Sequence, residues 1–333
     1  MNKRTLISLI ISILGFVIIF VLALMVGKYN ISIEAFAKAV FTSDSNYETQ
    51  RSIILNLRLP RTIVAGLTGI ALSLSGLLYQ EIFQNKLTSP DLLGVSSGAA
   101  VGAAIAIILG LSSIFISLFA FIMGIATVLV TIAISKLFKN GSSITLILAG
   151  IIVGGFMSAL LSMVKYFADP TTTLATITYW LMGSFENSTM PIVYVMAPVV
   201  ILSALVLISL SWRINVVALG EEEAQTKGIN YKLYRYLVIG ISTLLTAIAV
   251  AFNGTISWVG LVIPHIVRLI TGRDTRRSIP LCITIGGIFM IIVDILSRTF
   301  TLSEIPLSAV TGLIGTIIFV SILLAKRREY YAY

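Results

Sequence analysis

Apolar residues come in long blocks along this chain, separated by short polar stretches. Ten blocks stand out, at about 5–27, 62–83, 92–109, 113–135, 143–167, 191–211, 236–253, 255–271, 279–301 and 306–325. A helix rising 1.5 Å per residue needs ~20 apolar residues to cross about 30 Å of hydrocarbon. The pattern predicts an all-α polytopic membrane protein of about ten transmembrane helices, with residues 1–333 forming one transmembrane domain. The first block follows Lys3-Arg4 and is expected to be a span. It is longer than the ~7–15-residue core of a signal peptide, and no small-x-small cleavage site follows it.

Composition agrees. Hydrophobic residues make up 57% of the chain and charged residues 11%, against about 25% charged in soluble domains. Mean hydropathy is +1.03. The net charge of +9 does not point to nucleic acid, because the basic residues sit in loops between apolar blocks. With the N-terminus inside, fifteen basic residues fall on the inner face. They include Lys86, Lys136, Arg213, Lys227, Lys232, Arg276 and Arg277. Seven fall outside, namely Lys28, Lys38, Arg51, Arg58, Arg61, Lys165 and Arg298. Arg268 lies near the inner end of a span. The excess predicts both termini in the cytoplasm.

Of the outer segments, 28–61 reads as the longest loop, with a short amphipathic helix over Ile31 to Phe41. The other, 168–190, carries the aromatic cluster Tyr179-Trp180-Leu181-Met182-Gly183-Ser184-Phe185, an expected headgroup anchor. Arg61 to Gly76 and Arg235 to Gly254 each start basic, run apolar and reach a glycine, and they cross in opposite directions. That is compatible with an inverted repeat of spans 2–5 and 7–10.

One polar interruption differs from the rest. In the inner loop at about 212–235, Glu221, Glu222 and Glu223 precede Lys227 and Gly228. Acids first, lysine last and a terminal glycine is the order a helix dipole and a C-terminal stop favour. A short stiff helix on the inner face is expected there.

Little in the chain suggests chemistry. Gly94, Gly98 and Gly102 recur every four residues, and Gly150 and Gly154 repeat the spacing. Such faces pack helices closely and also suit a smooth wall beside a pathway. Asp294 and Arg298 are four apart and can pair on one helix face. Glu81 lies near the inner end of span 2. No line of carboxylates crosses the bilayer, which weighs against an ion-coupled carrier. His265 has no second histidine or cysteine pair near it in sequence, so no metal-site spacing exists. Cys282 is the single cysteine and reads as a small buried hydrophobe. There is no Gly-x-x-x-x-Gly-Lys-Ser/Thr and no nucleophile–base pair, so neither catalysis nor a cofactor bound by this chain is expected.

Several motifs in one order carry a resemblance. They are Arg58-Leu59-Pro60-Arg61, Leu92-Leu93-Gly94-Val95-Ser96-Ser97-Gly98-Ala99, Leu148-Ala149-Gly150 and Tyr179-Trp180-Leu181-Met182-Gly183. The second half adds Ala218-Leu219-Gly220-Glu221-Glu222 with Gly228, Gly260-Leu261-Val262-Ile263-Pro264-His265-Ile266-Val267-Arg268, Asp294 with Arg298, and Glu304-Ile305-Pro306. Over about residues 50–328 the chain resembles the permease subunits of binding-protein-dependent ABC importers for iron–siderophore complexes, haem and cobalamin.

The resemblance implies a ten-helix subunit in a bacterial cytoplasmic membrane. It would pair with a second permease, identical or related, and sit on two ATPase subunits that hold ATP and magnesium. An extracytoplasmic binding protein would deliver a metal chelate. Arg58, Arg61 and Arg298 look like the arginines that receive this protein. Interfacial snorkelling is the plainer reading for Arg58 and Arg61, and pairing with Asp294 is the plainer one for Arg298. Gly220, Glu221, Glu222, Glu223, Ala224 and Gly228 look like the coupling helix that docks on the ATPase. Asn85 and Leu87, with Ser142 and Ser143, resemble the cytoplasmic gate. The gate segment departs from the family's usual Asn-Pro-Leu-Ala, since this chain has Asn85-Lys86-Leu87-Thr88. Losing proline restores a backbone donor, and Lys86 adds a cation. The cargo expected is an Fe(III)–siderophore, with haem or cobalamin as alternatives. An ion-coupled carrier and a non-transporting scaffold are the readings of other classes.

Overall fold

The computed structural model describes residues 3–42, 44–138, 143–272, 274–301 and 303–330, and among these helix is the only regular structure. The helices are α1 (Lys3–Met25), α2 (Ile33–Phe41), α3 (Glu48–Ser52), α4 (Leu59–Ile82), α5 (Val95–Ile108), α6 (Ser113–Leu137) and α7 (Ser143–Phe167). They continue with α8 (Thr173–Met182), α9 (Met190–Val217), α10 (Glu221–Thr226), α11 (Tyr231–Asn253), α12 (Val259–Thr271), α13 (Thr275–Thr299) and α14 (Leu307–Tyr330). Seven stretches are long and apolar enough to cross a membrane, and α5, α12 and Leu307–Ile322 of α14 are shorter apolar helices. These ten are the ten blocks read from the sequence.

The apolar surface is on the outside. α1 exposes Ile10, Ile11, Leu14 and Ile18, and α7 exposes Ile144, Ile151, Ile152 and Phe156. Water would not tolerate such a belt on one chain, and lipid does. α4 is the opposite case, enclosed along almost its whole length by α13, α11, α12 and α9. Close approach there needs glycine. A Cβ on Gly69 would collide with the Gly286 carbonyl of α13, and one on Gly76 with the Gly260 carbonyl of α12.

Two of the ten are half-helices. At 1.5 Å per residue, α5 and α12 reach only about 20 Å, short of the ~30 Å of hydrocarbon. Each is entered through a residue in the left-handed region, Gly94 at φ +84° and Trp258 at φ +71°. The lead-in to α5 includes a 3₁₀ turn over Pro90–Leu93. Pro90 packs on Gly260, the second residue of α12, so the two broken segments meet inside the bundle. Packing elsewhere repeats between the two halves. α4 lies on α13 as α11 lies on α6, and α4 on α12 as α11 on α5. The repeat of spans 2–5 and 7–10 is therefore visible in the helix pairing.

The segment 28–61 departs from the expected loop. The amphipathic helix is present as α2, and its N-cap Ser32 accepts from the Ala35 amide at 3.2 Å. Beyond it the chain is helical from Ser45 to Ile82 with no break. Residues Ile53–Arg58 form a π-helical stretch just ahead of Pro60. Proline lacks the donor of a regular turn, and a widened turn lets the helix continue through it. The aromatic cluster lies on α8 and just beyond it, with Tyr179 exposed and Phe185 buried.

Candidate functional site

The bundle carries charge at its two rims. At the first, three arginines converge. Arg58, on the π-helical stretch, points inward and is 6% exposed. Its Nη1 donates to the carbonyls of Leu24 (3.0 Å) and Met25 (2.6 Å), and its Nη2 donates to that of Tyr29. Arg298 of α13 donates from Nη2 to the Ala23 carbonyl at 2.6 Å. The last carbonyls of a helix have no partner within it. Here two guanidinium groups from other elements satisfy the end of α1.

Arg61 faces two acids. Its Nε donates to Asp294 Oδ1 at 2.6 Å, and Nη1 and Nη2 donate to the two oxygens of Glu304 at 2.6 and 2.9 Å. Arg298 Nε lies 3.4 Å from the other Asp294 oxygen. Asp294 is wholly buried between the two arginines. So Arg298 does pair with Asp294, and Arg58 does not snorkel. Glu304 belongs to this cluster and was not among the predicted site residues, although it stood in the Glu304-Ile305-Pro306 motif.

The second rim holds α10. Gly220, at φ +122°, leads into six helical residues, and Gly228, at φ +69°, ends the turn. Ala224 is fully buried while Glu221, Glu222 and Glu223 are exposed, so one small face anchors the helix and its acids point away. The Ile229 amide donates to the Ala224 carbonyl at 2.9 Å and folds the exit back. Two side chains tie the approach to α10 to the bundle. Gln84, just past α4, donates from Nε2 to the Ala218 carbonyl at 3.2 Å. Asn215 Oδ1 accepts from the Thr275 amide at 2.8 Å, where α13 begins. Asp274 caps that start, and hydrogen bonds from Arg276 hold its carboxyl below the usual carboxylate range.

Beside Gln84 lie Asn85 and Leu87, both exposed. They share one turn, in which Asn85 Oδ1 accepts from the Leu87 amide at 2.9 Å and the Thr88 amide donates to the Asn85 carbonyl at 3.2 Å. Ser143 opens α7, and Ser142 lies outside the described residues. Deeper in, Arg268 of α12 bonds Glu81 at 3.0 Å and also Gln80, whose amide nitrogen reaches the Gly260 carbonyl at 3.3 Å. The end of α4 is thus fastened to α12 and to the approach to α10.

A family model described as the FecCD transport family matches residues 15–325. The chain belongs to the FecCD transport family. It is 36% identical over 307 residues to the molybdate import system permease protein MolB of Haemophilus influenzae, covering 91% of each protein. It is 34% identical over 320 residues to a probable iron chelatin transport system permease protein of Helicobacter pylori, covering 94% of this chain and 97% of the other. A solved structure assigned to the metal-chelate type of ABC transporter, in an inward-facing conformation, aligns with a TM-score of 0.87 at 36% identity. It covers 96% of this chain and 99% of that one. This FecCD chain is a multi-pass membrane permease component of an ABC importer.

The five glycines of the two predicted stripes separate in this FecCD fold. Gly98 and Gly102 press α5 against Thr127 and Phe119 of α6, and Gly150 presses α7 against Leu92. Gly94 is a turn residue, needed for its positive φ rather than for packing. Gly154 faces open space, as does Gly155. With exposed Ser158 and Ser162, they form a small and hydroxyl-bearing patch on the outer face of α7, continuous with exposed Ile151. Gln80 and Gln84 were the other residues missed. Glutamines at the polar end of an apolar block carry no motif.

Proposed function

We propose that this permease passes a metal chelate, an Fe(III)–siderophore, across the cytoplasmic membrane by alternating access, driven by ATPase subunits gripping α10. The observation that supports this most is the construction around Gln84. It links the approach to α10 with the end of α4, one residue from the gate segment Asn85–Leu87. A push on a short helix anchored only by Ala224 is passed to these two elements. Both termini and α10 are read as cytoplasmic, from the excess of basic residues on that side.

A second permease copy, identical or related, would cover the face of α7 that carries Gly154, Gly155, Ser158 and Ser162. A wall of small and hydroxyl groups lets a bulky chelate pass without a strong site to hold it. An extracytoplasmic binding protein would dock on the rim of Arg61. Arg58 and Arg298 serve that docking from beneath, by fixing α1. ATP and magnesium belong to the ATPase subunits.

The relative described for iron chelatin supports an iron chelate, and the relative described for molybdate makes that oxyanion a competing cargo. Haem or cobalamin is the second reading. The test is uptake into proteoliposomes holding permease and ATPase, with binding protein outside and radiolabelled ferric siderophore, haem, cobalamin or molybdate offered separately. ATP-dependent uptake of the siderophore alone is expected. Uptake of another cargo in its place changes the substrate, and uptake without ATP overturns the mechanism.

A further inference from the structure

Arg61 is held from two sides that differ in kind. Behind it, Asp294 takes Nε and has no exposure. In front, Glu304 takes both terminal nitrogens, and its side chain keeps 22% of its exposure while that of Arg61 keeps 11%. A fork meeting a carboxylate through two parallel bonds is the strongest geometry open to a guanidinium. Asp294 sits within α13, which packs tightly on α4. Glu304 sits on the connection between α13 and α14 and can swing out without disturbing either helix. Arg61 is therefore a preset carboxylate receptor with a fixed rear partner and an exchangeable front one.

We infer that Glu304 is a resident occupant of this receptor, displaced by an acidic side chain of the docking protein. The inference rests on the docking reading of Arg61. Exchanging one carboxylate for another on the same fork leaves the number of charge-assisted bonds unchanged. The released Glu304 regains water. Its own turn is also pinned. The Ile305 amide donates to the Ser297 carbonyl at 3.0 Å, and Ser297 Oγ donates to the Ile305 carbonyl at 2.6 Å. Two residues on, the Leu307 amide donates to the Gly183 carbonyl at 3.1 Å. These bonds hold the chain from Ile305 onward, so release of Glu304 loosens Ser303 just before it and leaves α14 in place.

The experiment measures binding of the purified cognate binding protein to the permease–ATPase complex in nanodiscs. Glu304→Gln removes the competing charge and keeps the shape, so affinity should rise several-fold. Unchanged or weaker binding overturns the inference. The pair Arg61→Gln with Glu304→Gln removes both charges of the front contact and leaves Asp294 facing Arg298, and should weaken binding at least tenfold in protein that still folds by size exclusion. If that pair binds normally, the docking reading itself fails, whatever Glu304 does. A second measurement does not depend on the Gln variant. Cys282 is the single cysteine and is buried, so a spin label on Ser303→Cys reports this turn alone. Its mobility should increase when the binding protein is added, and an unchanged spectrum also overturns the inference.

Discussion

Gln84 donates to the carbonyl of Ala218 across the junction of α4 and α9. It does so from a left-handed backbone, at φ +49°. A side chain other than glycine in that region costs about 1 kcal/mol or more. The strain is stored where the approach to α10 meets the segment before α5.

Replacing Gln84 by glycine separates the two roles of that residue. The strain is relieved and the donor is lost. Stability should stay level or rise by up to ~1 kcal/mol. Cargo delivered per ATP hydrolysed should fall several-fold while hydrolysis continues. A parallel assay of hydrolysis and uptake in proteoliposomes checks this, and an unchanged ratio removes Gln84 from the coupling route.

Arg58→Ala should act on stability first. It leaves the carbonyls of Leu24, Met25 and Tyr29 without their donor. Hydrogen bonds to a charged group are worth roughly 1.5–3 kcal/mol each; the cost of burying the guanidinium offsets much of the three together, which leaves a loss on the order of 2 kcal/mol. Thermal melting in detergent should show it, independently of salt. A rim charge that only guided docking would instead leave the melt unchanged and give a salt-dependent loss of association.

Gly76→Leu should prevent α12 from seating on α4, because even a Cβ there collides with the Gly260 carbonyl. Forced overpacking costs about 1–3 kcal/mol or more, and a poor yield of folded protein is expected. Gly154→Ala meets nothing within 4 Å and should fold normally. Size-exclusion profiles of the two variants compare these cases.

The turn before α8 should resist acid. Asp169 accepts from the Thr171 hydroxyl and amide and from those of Thr172, which holds its carboxyl down at about 2, below the usual carboxylate range. A depressed carboxyl contributes stability above its unfolded value and loses it as pH falls through its folded value. Amide exchange at Thr171 and Thr172 should therefore stay slow at pH 4 and quicken only towards pH 2. Asp169→Ala should remove that protection at every pH.

The ten blocks, the amphipathic helix near Ile31 to Phe41 and the stop at Gly228 were legible because each rests on local chemistry: apolar length, a helical period, a glycine free to take a positive φ. The half-helices were not. Ile256 and Trp258 are as apolar as the helix that follows, so composition alone ran the eighth span back to residue 255. The arginines were legible as a set, yet their partners Glu304 and the α1 carbonyls lie more than 20 residues away in sequence. A positive charge beside an apolar block reads as a surface charge until the packing supplies its acceptor. Residues 45–58 read as loop because Pro60 looks like a helix start, and only the π-helical turn shows how the helix passes it.

The most direct test is uptake and ATP hydrolysis measured together on the triple variant Glu221→Lys, Glu222→Lys and Glu223→Lys. These side chains point into solvent and leave the anchoring Ala224 in place, so the protein should insert and fold. Loss of ATP-driven cargo uptake by at least tenfold, with hydrolysis by the ATPase subunits persisting, is the result expected of a lever. Uptake at the normal rate would contradict it.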